Sequence, residues 1–211
     1  MAFWRLRRFR RMRKLLVAIG ALVVTAAVVA GILQTRGSDR ATSAAPQPLS
    51  RAEVSRPLSG APPRLAALRK RVNELHGGGA KALDAQLRAL RGYPVVVNLW
   101  ASWCDPCRYE LPFLQRQALE RGGEVAFLGV NSGDNRGDAR ELSERYPMPY
   151  PSFEDPRQAI AGRYGAPGLP ATAFYDARGE LVLVHQGVFP TEAKLAAAIE
   201  RYAVRGGDDD G

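Results

Sequence analysis

The hydrophobic pattern of residues 95–130 predicts two buried strands joined by a helix. The run VVVNLW at 95–100 is apolar and rich in β-branched side chains, which is typical of a strand buried on both faces. From Leu111 onward the apolar positions repeat at helical spacing, and VAFLGV at 125–130 again has the composition of a buried strand. A strand, helix and strand in succession form a βαβ unit, whose two strands lie parallel with a right-handed crossover.

Shorter elements are predicted on both sides of this unit. They are helices at 64–75, 80–91, 138–146, 159–164 and from Thr191 onward, a short edge strand from Phe153, and two strands after Pro170 and at 181–185. A turn separates the last two strands, so they are expected to form an antiparallel hairpin. A parallel βαβ unit and an antiparallel hairpin together predict an α/β fold with a central mixed sheet and flanking helices.

The amino-terminal part of the chain has a different character. Residues 15–33 are nineteen residues without a charge, close to the ~20 that cross a bilayer as a helix. By the positive-inside rule the basic residues 1–14 should stay cytoplasmic, which places the rest outside the cytoplasm. A cleavable signal peptide remains the alternative, although its apolar region is usually shorter. Residues 34–63 are predicted to be a flexible linker, 64–205 the folded domain and 206–211 a disordered tail.

The charge of the chain is unevenly distributed. The formal net charge is +9, but seven positive charges lie before residue 15. Because no basic patch with interleaved aromatic residues follows, nucleic-acid binding is not predicted. Gly77–Gly79 lacks the Lys-Ser or Lys-Thr that follows a phosphate-binding loop, and no cofactor is predicted. We expect a tethered monomer.

The two cysteines, Cys104 and Cys107, lie where the first buried strand gives way to the helix. At this spacing both sulfurs can bond within the first helical turn, and the positive end of the helix favours the thiolate that attacks disulfides. We therefore expect Cys104, after Trp103, to be the exposed nucleophile and Cys107 to be the resolving thiol. Pro106 suits an early helical position, where no N–H donor is needed.

Two other roles for the cysteines are a structural disulfide and a metal site. A structural disulfide closing so short a loop would give little entropic stabilisation. Zinc needs about four ligands, and the chain offers only His76 and His185 besides the cysteines, so no metal is predicted. Neither cysteine lies in the Pro-x-x-x-Thr-x-x-Cys context of a peroxidase. The pattern favours thiol–disulfide exchange.

Two segments, NLWASWCDPCRYELP and GLPATAFYD, carry a family resemblance. The chain resembles the thioredoxin superfamily, and within it the membrane-anchored TlpA/ResA-type thiol–disulfide oxidoreductases, over about residues 80–204. The resemblance implies a thioredoxin fold with a cis peptide bond before Pro170 and a substrate chain pairing with the backbone of Leu169. It also implies a substrate surface that includes Trp103, Asp105 and Pro106.

Two departures from thioredoxin concern the carboxylates near the cysteines. Thioredoxins have a buried aspartate six residues before the first cysteine, where this chain has Asn98, which cannot accept a proton. Glu110 matches a glutamate of the ResA-like members and lies one helical turn after Cys107. We interpret it as the proton acceptor for that thiol; an ordinary surface glutamate is the alternative. Asp105, beside Cys104, should oppose its thiolate.

The resulting hypothesis is an extracytoplasmic enzyme of a bacterial membrane that reduces disulfides in exported proteins. A membrane electron donor would then re-reduce the cysteine pair, and by resemblance cytochrome c maturation is one candidate pathway. An oxidant that introduces disulfides is the first alternative. The others are a copper-delivering chaperone that uses His185 with the cysteines, and a non-catalytic thioredoxin-like binding module.

Overall fold

The structure is a computed structural model, and it describes residues 47–207. The predicted basic segment, transmembrane helix, first part of the linker and most of the tail lie outside these residues. No helix within 47–207 has both the length and the apolar character to span a membrane. The helices and strands are, in chain order, α1 (Arg51–Val54), α2 (Pro63–Arg69), β1 (Leu75–His76), α3 (Gly79–Ala89), β2 (Val95–Trp100), α4 (Asp105–Arg121), β3 (Ala126–Ser132), α5 (Arg136–Arg145), β4 (Ser152–Asp155), α6 (Ala159–Arg163), β5 (Ala171–Tyr175), β6 (Leu181–Gln186), α7 (Glu192–Ala198) and a π-helix (Ile199–Val204).

The strands form one mixed sheet in the order β1-β4-β3-β2-β5-β6. The central strand β2 pairs in parallel with β3 and antiparallel with β5. The hairpin of β5 and β6 is antiparallel, with Thr172 opposite His185. The predicted βαβ unit, hairpin and mixed sheet are therefore confirmed. Because β2 and β3 run parallel, their carboxyl ends lie at the same edge of the sheet.

The predicted edge strand is wrong in one respect, because β4 is not at the edge. The two-residue strand β1 covers it, with Leu75 opposite Ser152. The sequence pattern assigned Leu75 to a helix, but α2 ends at Arg69 and Asn73 has a left-handed backbone conformation (φ 63°) that turns the chain. Met148 holds this turn, since its N–H donates to Asn73 Oδ1 and its carbonyl accepts from the Asn73 N–H.

The core has two apolar layers, one on each face of the sheet. Side chains of β2 alternate between them, as strand geometry requires. Val96 and Trp100 face the layer that contains α4, and Val97 and Leu99 face the layer that contains α2 and α3. The Trp100 indole reaches across Gly129 and donates to Ser152 Oγ at 3.1 Å; a Cβ at Gly129 would lie 2.9 Å from the indole nitrogen.

Residues 47–63, predicted as part of the linker, are packed on the domain. Ser50 and Glu53 form a reciprocal capping box at the start of α1, and Val54 is fully buried. The Leu49 N–H donates to the buried Gln115 side chain of α4 at 2.8 Å. The Ser, Pro and Gly content of this stretch is typical of a linker and gives no sign of the capping box at α1. One buried valine is too little to create a hydrophobic period.

Candidate active site

The two cysteines lie at the carboxyl end of β2 and the amino end of α4. They form a disulfide, with their Cα atoms 5.3 Å apart. Cys104 is the N-cap of α4, and its sulfur accepts the Cys107 N–H at 3.2 Å. Pro106 occupies the first turn of the helix, where its missing N–H leaves no bond unmade. A reducible pair is thus placed in the positive field of the helix terminus.

The position of the disulfide differs from the sequence expectation in one respect. The sequence predicts an exposed Cys104, but in the disulfide form Cys104 is 3% exposed and Cys107 is 1% exposed. Both sulfurs belong to the apolar layer on the α4 face of the sheet, which also contains Phe189. A bonded sulfur carries no charge and packs as an apolar group. Exposure falls instead on the neighbouring Trp103.

Ser102 is held at all of its polar groups, which fixes the turn that leads into Cys104. Its N–H and its hydroxyl donate to the Asp134 carboxylate at 2.6 and 2.7 Å. Its carbonyl accepts from Arg108 of α4 at 2.8 Å. Asp134 also accepts from Asn131 at the end of β3. Asp134 belongs to no motif in the sequence; the one signal of its role is its position as a polar residue just after the strand parallel to β2.

The peptide bond between Leu169 and Pro170 is cis, as the resemblance implies. The Pro170 carbonyl accepts the Gly187 N–H at 2.9 Å, which joins this loop to the loop between β6 and α7. On the other side of the cysteines, the Trp103 indole donates to the Gly133 carbonyl at 2.9 Å. Asp105 is exposed and ion-paired with Arg108.

Glu110 is a buried carboxyl group rather than a surface residue, with 1% of its surface exposed. Its Oε1 accepts from the Asn98 amide and its Oε2 accepts from the Phe189 N–H, both at 2.9 Å. Burial raises the pKa of Glu110 to about 7, while the two hydrogen bonds act in the opposite direction. The group therefore titrates near neutral pH, in the range that suits a general acid or base.

Two further polar groups near Glu110 have capacity for another bond. Asn98 Oδ1 and the Tyr150 hydroxyl are two of the four buried polar side-chain atoms that have no hydrogen-bond partner among the described residues. Burial raises the pKa of Tyr150, and the nearby Glu110 charge adds to this effect. If the Asn98 amide turns over, its oxygen can accept from a protonated Glu110. Asn98 can thus pair with either protonation state of the carboxyl group.

His185 lies beside this site without joining the cysteines. Its ring stacks on Phe189, with centroids 4.0 Å apart, and burial lowers its pKa. Within residues 47–207, no three His, Cys, Asp or Glu side chains converge as metal ligands.

Comparison with known proteins agrees with this geometry. Residues 66–184 match the model of the AhpC/TSA family, which is more than half of the chain. The chain belongs to this family. It is 38% identical over 109 residues to the thiol:disulfide interchange protein DsbE of Allochromatium vinosum, covering 51% of this chain and 58% of that protein.

A second relative is the thiol-disulfide oxidoreductase ResA of Geobacillus thermodenitrificans, 28% identical over 52% of this chain and 63% of that protein. The chain thus spans less than two thirds of the length of both relatives. Among solved structures, MTB DsbF in its mixed oxidised and reduced forms has a TM-score of 0.50 and 28% identity, covering 53% of this chain and 82% of that chain. The fold is thioredoxin-like.

Proposed function

We propose that this AhpC/TSA-family protein is a thiol–disulfide oxidoreductase that reduces disulfides in other proteins. The observation that carries the proposal is the Cys104–Cys107 disulfide at the start of α4, with the buried Glu110 one helical turn after Cys107. The names of the DsbE and ResA relatives support the same chemistry.

The reaction begins from the dithiol form. The Cys104 thiolate attacks one sulfur of the substrate disulfide; the substrate S–S bond breaks, a mixed disulfide forms, and the leaving substrate sulfur takes a proton from solvent. Cys107 gives its proton to Glu110 and attacks Cys104 Sγ, which forms the intramolecular disulfide and breaks the mixed disulfide; the second substrate sulfur leaves as a thiolate and takes up the proton that Glu110 gives back. The substrate gains two electrons and two protons. A dithiol electron donor must then reduce the cysteine pair again.

The proton transfer has a direct test. A mixed disulfide with a small thiol can be trapped on Cys104 and its resolution by Cys107 followed by thiol release. Glu110→Gln should slow this step, because glutamine cannot take the Cys107 proton. The exposed Glu144 on α5 provides the matched control, Glu144→Gln. An unchanged rate in Glu110→Gln would remove Glu110 from the mechanism.

The direction of the reaction depends on the reduction potential of the cysteine pair. Equilibration of the full-length chain in glutathione and dithiothreitol buffers measures it. A reductant should have a potential near or below about −230 mV, in or below the range of thioredoxin and glutaredoxins. A value near about −120 mV, as for DsbA, would reverse the proposed direction and make the protein a disulfide-forming oxidant.

We also infer that residues 15–33 anchor the enzyme in a bacterial membrane with its domain outside the cytoplasm. The support is the uncharged stretch and the basic residues before it. The domain would then reduce exported proteins, apocytochromes c among the candidates, and take electrons from a membrane donor. Alkaline extraction of membranes should leave the protein in the pellet. After reduction of the Cys104–Cys107 disulfide, an impermeant thiol reagent added outside intact cells should label the cysteine pair. Release into the supernatant would contradict the anchor.

A further inference from the structure

Four large hydrophobic side chains are exposed within the described residues, and two of them are close to the cysteine pair in the chain. Trp103 (57% exposed) and Tyr109 (39%) lie on either side of the Cys104–Cys107 segment in the chain. Leu181 (46%) begins β6 and Val204 (43%) ends the π-helix. Leu181 pairs with Tyr175 at the carboxyl end of β5, and β5 is antiparallel to β2. Leu181 therefore lies at the opposite end of the strands from the cysteines, which follow the carboxyl end of β2.

Both exposed aromatic side chains are fixed by their polar atoms. The Trp103 indole donates to the Gly133 carbonyl, in the loop between β3 and α5. The Tyr109 hydroxyl donates to the Pro190 carbonyl at 3.1 Å, in the loop between β6 and α7. The ring of Phe113 supports Tyr109 edge to face, with centroids 5.5 Å apart. An aromatic ring held in this way loses little conformational entropy when a partner packs on it.

The two loops that hold these rings follow strands on opposite sides of β2, since β3 is one neighbour of β2 and β6 lies beyond its other neighbour, β5. The loop that holds Tyr109 is also bonded to the cis-proline segment, through the Gly187 N–H and the Pro170 carbonyl. Tyr109 follows Cys104 by five residues, which corresponds to ~7.5 Å along a helix axis. An extended peptide covers this distance in about two residues at ~3.3 Å each.

We propose that Tyr109 is a specificity-determining residue, which together with Trp103 selects substrate chains that carry a large apolar or aromatic side chain about two residues from the reactive cysteine. The inference rests on the proposed function, since a substrate polypeptide must be bonded to Cys104 for its nearby side chains to lie within reach of Tyr109. The partner on this surface is taken to be the substrate because the exposed aromatic surface begins at Trp103, directly next to the nucleophile. Tyr109 itself forms no bond with the reacting sulfurs.

The test compares synthetic peptides that contain one disulfide and differ at a single position. One has glycine two residues from its cysteine, and two others have tryptophan there, on the amino or the carboxyl side. The full-length chain, reduced beforehand in detergent, is mixed with each peptide, and the rate constant of peptide reduction is measured by chromatography. We expect one tryptophan peptide to react about fivefold faster than the glycine peptide, in line with the strength of aromatic contacts.

Three variants make the result specific. Tyr109→Ala should reduce the ratio of tryptophan to glycine rates to near one. Tyr109→Phe keeps the ring and its contact with Phe113 but loses the bond to Pro190, so it should give a ratio between those of Tyr109→Ala and the wild type. Leu181 is about as exposed as Tyr109 but lies at the opposite end of the strands. Leu181→Ala should therefore keep both the ratio and the absolute rates. A ratio near one in the wild type, or an undiminished ratio in Tyr109→Ala, would overturn the inference. If the wild type reduces none of the peptides, the proposed function itself fails.

Discussion

Glu110→Gln should change how the stability of the disulfide form depends on pH. In the folded protein the pKa of Glu110 is about 7, against an ordinary value of 4.5, because the group is buried. Between these two values the folded state keeps the proton that the unfolded state has released. The free energy of unfolding must therefore fall as pH rises from about 4.5 to 7, and become independent of this group above that range. Glutamine does not titrate, so the variant lacks this contribution.

The size of the effect follows from the two pKa values. At about 1.4 kcal/mol for each pH unit between them, the wild type should lose about 3 kcal/mol relative to Glu110→Gln between pH 4.5 and 7. Structural damage in the variant should be limited, since glutamine has the shape of glutamate. Its oxygen can accept from the Phe189 N–H, and its amide can donate to Asn98 Oδ1 once the Asn98 amide turns over.

The assay is urea unfolding of the oxidised full-length chain in detergent, repeated at intervals from pH 4 to 8.5. The quantity of interest is the difference in free energy of unfolding between the wild type and Glu110→Gln at each pH. A change in stability that the substitution causes equally at every pH does not affect the result, because the test uses only how this free-energy difference changes with pH. Glu144→Gln makes the same chemical change at an exposed position on α5 and serves as the matched control. A difference that stays constant within about 0.5 kcal/mol from pH 4.5 to 7 would refute the reasoning.

Three further substitutions test other parts of the site. Asp105→Asn should lower the pKa of the reduced Cys104 thiol, because it removes a neighbouring negative charge. Alkylation of Cys104 should then become fast at a lower pH than in the wild type, and added salt should narrow this difference in pH between the two proteins. Asp134→Ala should destabilise the protein by about 2 kcal/mol in chemical unfolding, because it leaves the Ser102 N–H and hydroxyl without their charged acceptor. Gly129→Ala should cost about 3 kcal/mol, since its Cβ would lie 2.1 Å from Ser152 Oγ; a cost below about 0.5 kcal/mol would show that the sheet can shift there.

The parts of the fold that the sequence predicted are those with strong local signals. The strands β2 and β3 are buried on both faces, so their apolar runs mark the ends of both strands to within two residues, inside the usual uncertainty of element ends. The cysteine pair follows from its spacing, and the cis peptide at Pro170 follows from the resemblance. Thr191 caps the last helix as expected, accepting from the Lys194 N–H. Each of these features is specified by residues close together in the chain.

The features that escaped prediction depend on contacts between distant residues or on backbone groups. The strand β1 is two residues long and exists because Asn73 reverses the chain beside Met148. The Phe189 N–H, one of the two donors to Glu110, is a main-chain group with no sequence signature. Burial of Cys104 in the disulfide form likewise arises from the apolar layer assembled around it, which also includes Phe189.

The position of Glu110 accounts for the presence of Asn98 where thioredoxins have a buried aspartate. In thioredoxins, by resemblance, the buried carboxyl group near the resolving cysteine is carried by the strand; here it is carried by the helix that bears both cysteines. The amide nitrogen of Asn98 lies 2.9 Å from Glu110 Oε1. A second carboxylate at that distance would compete with Glu110 for one proton and raise the pKa of the pair. A neutral amide that can both donate and accept leaves Glu110, the only buried acid of α4, free to titrate near pH 7.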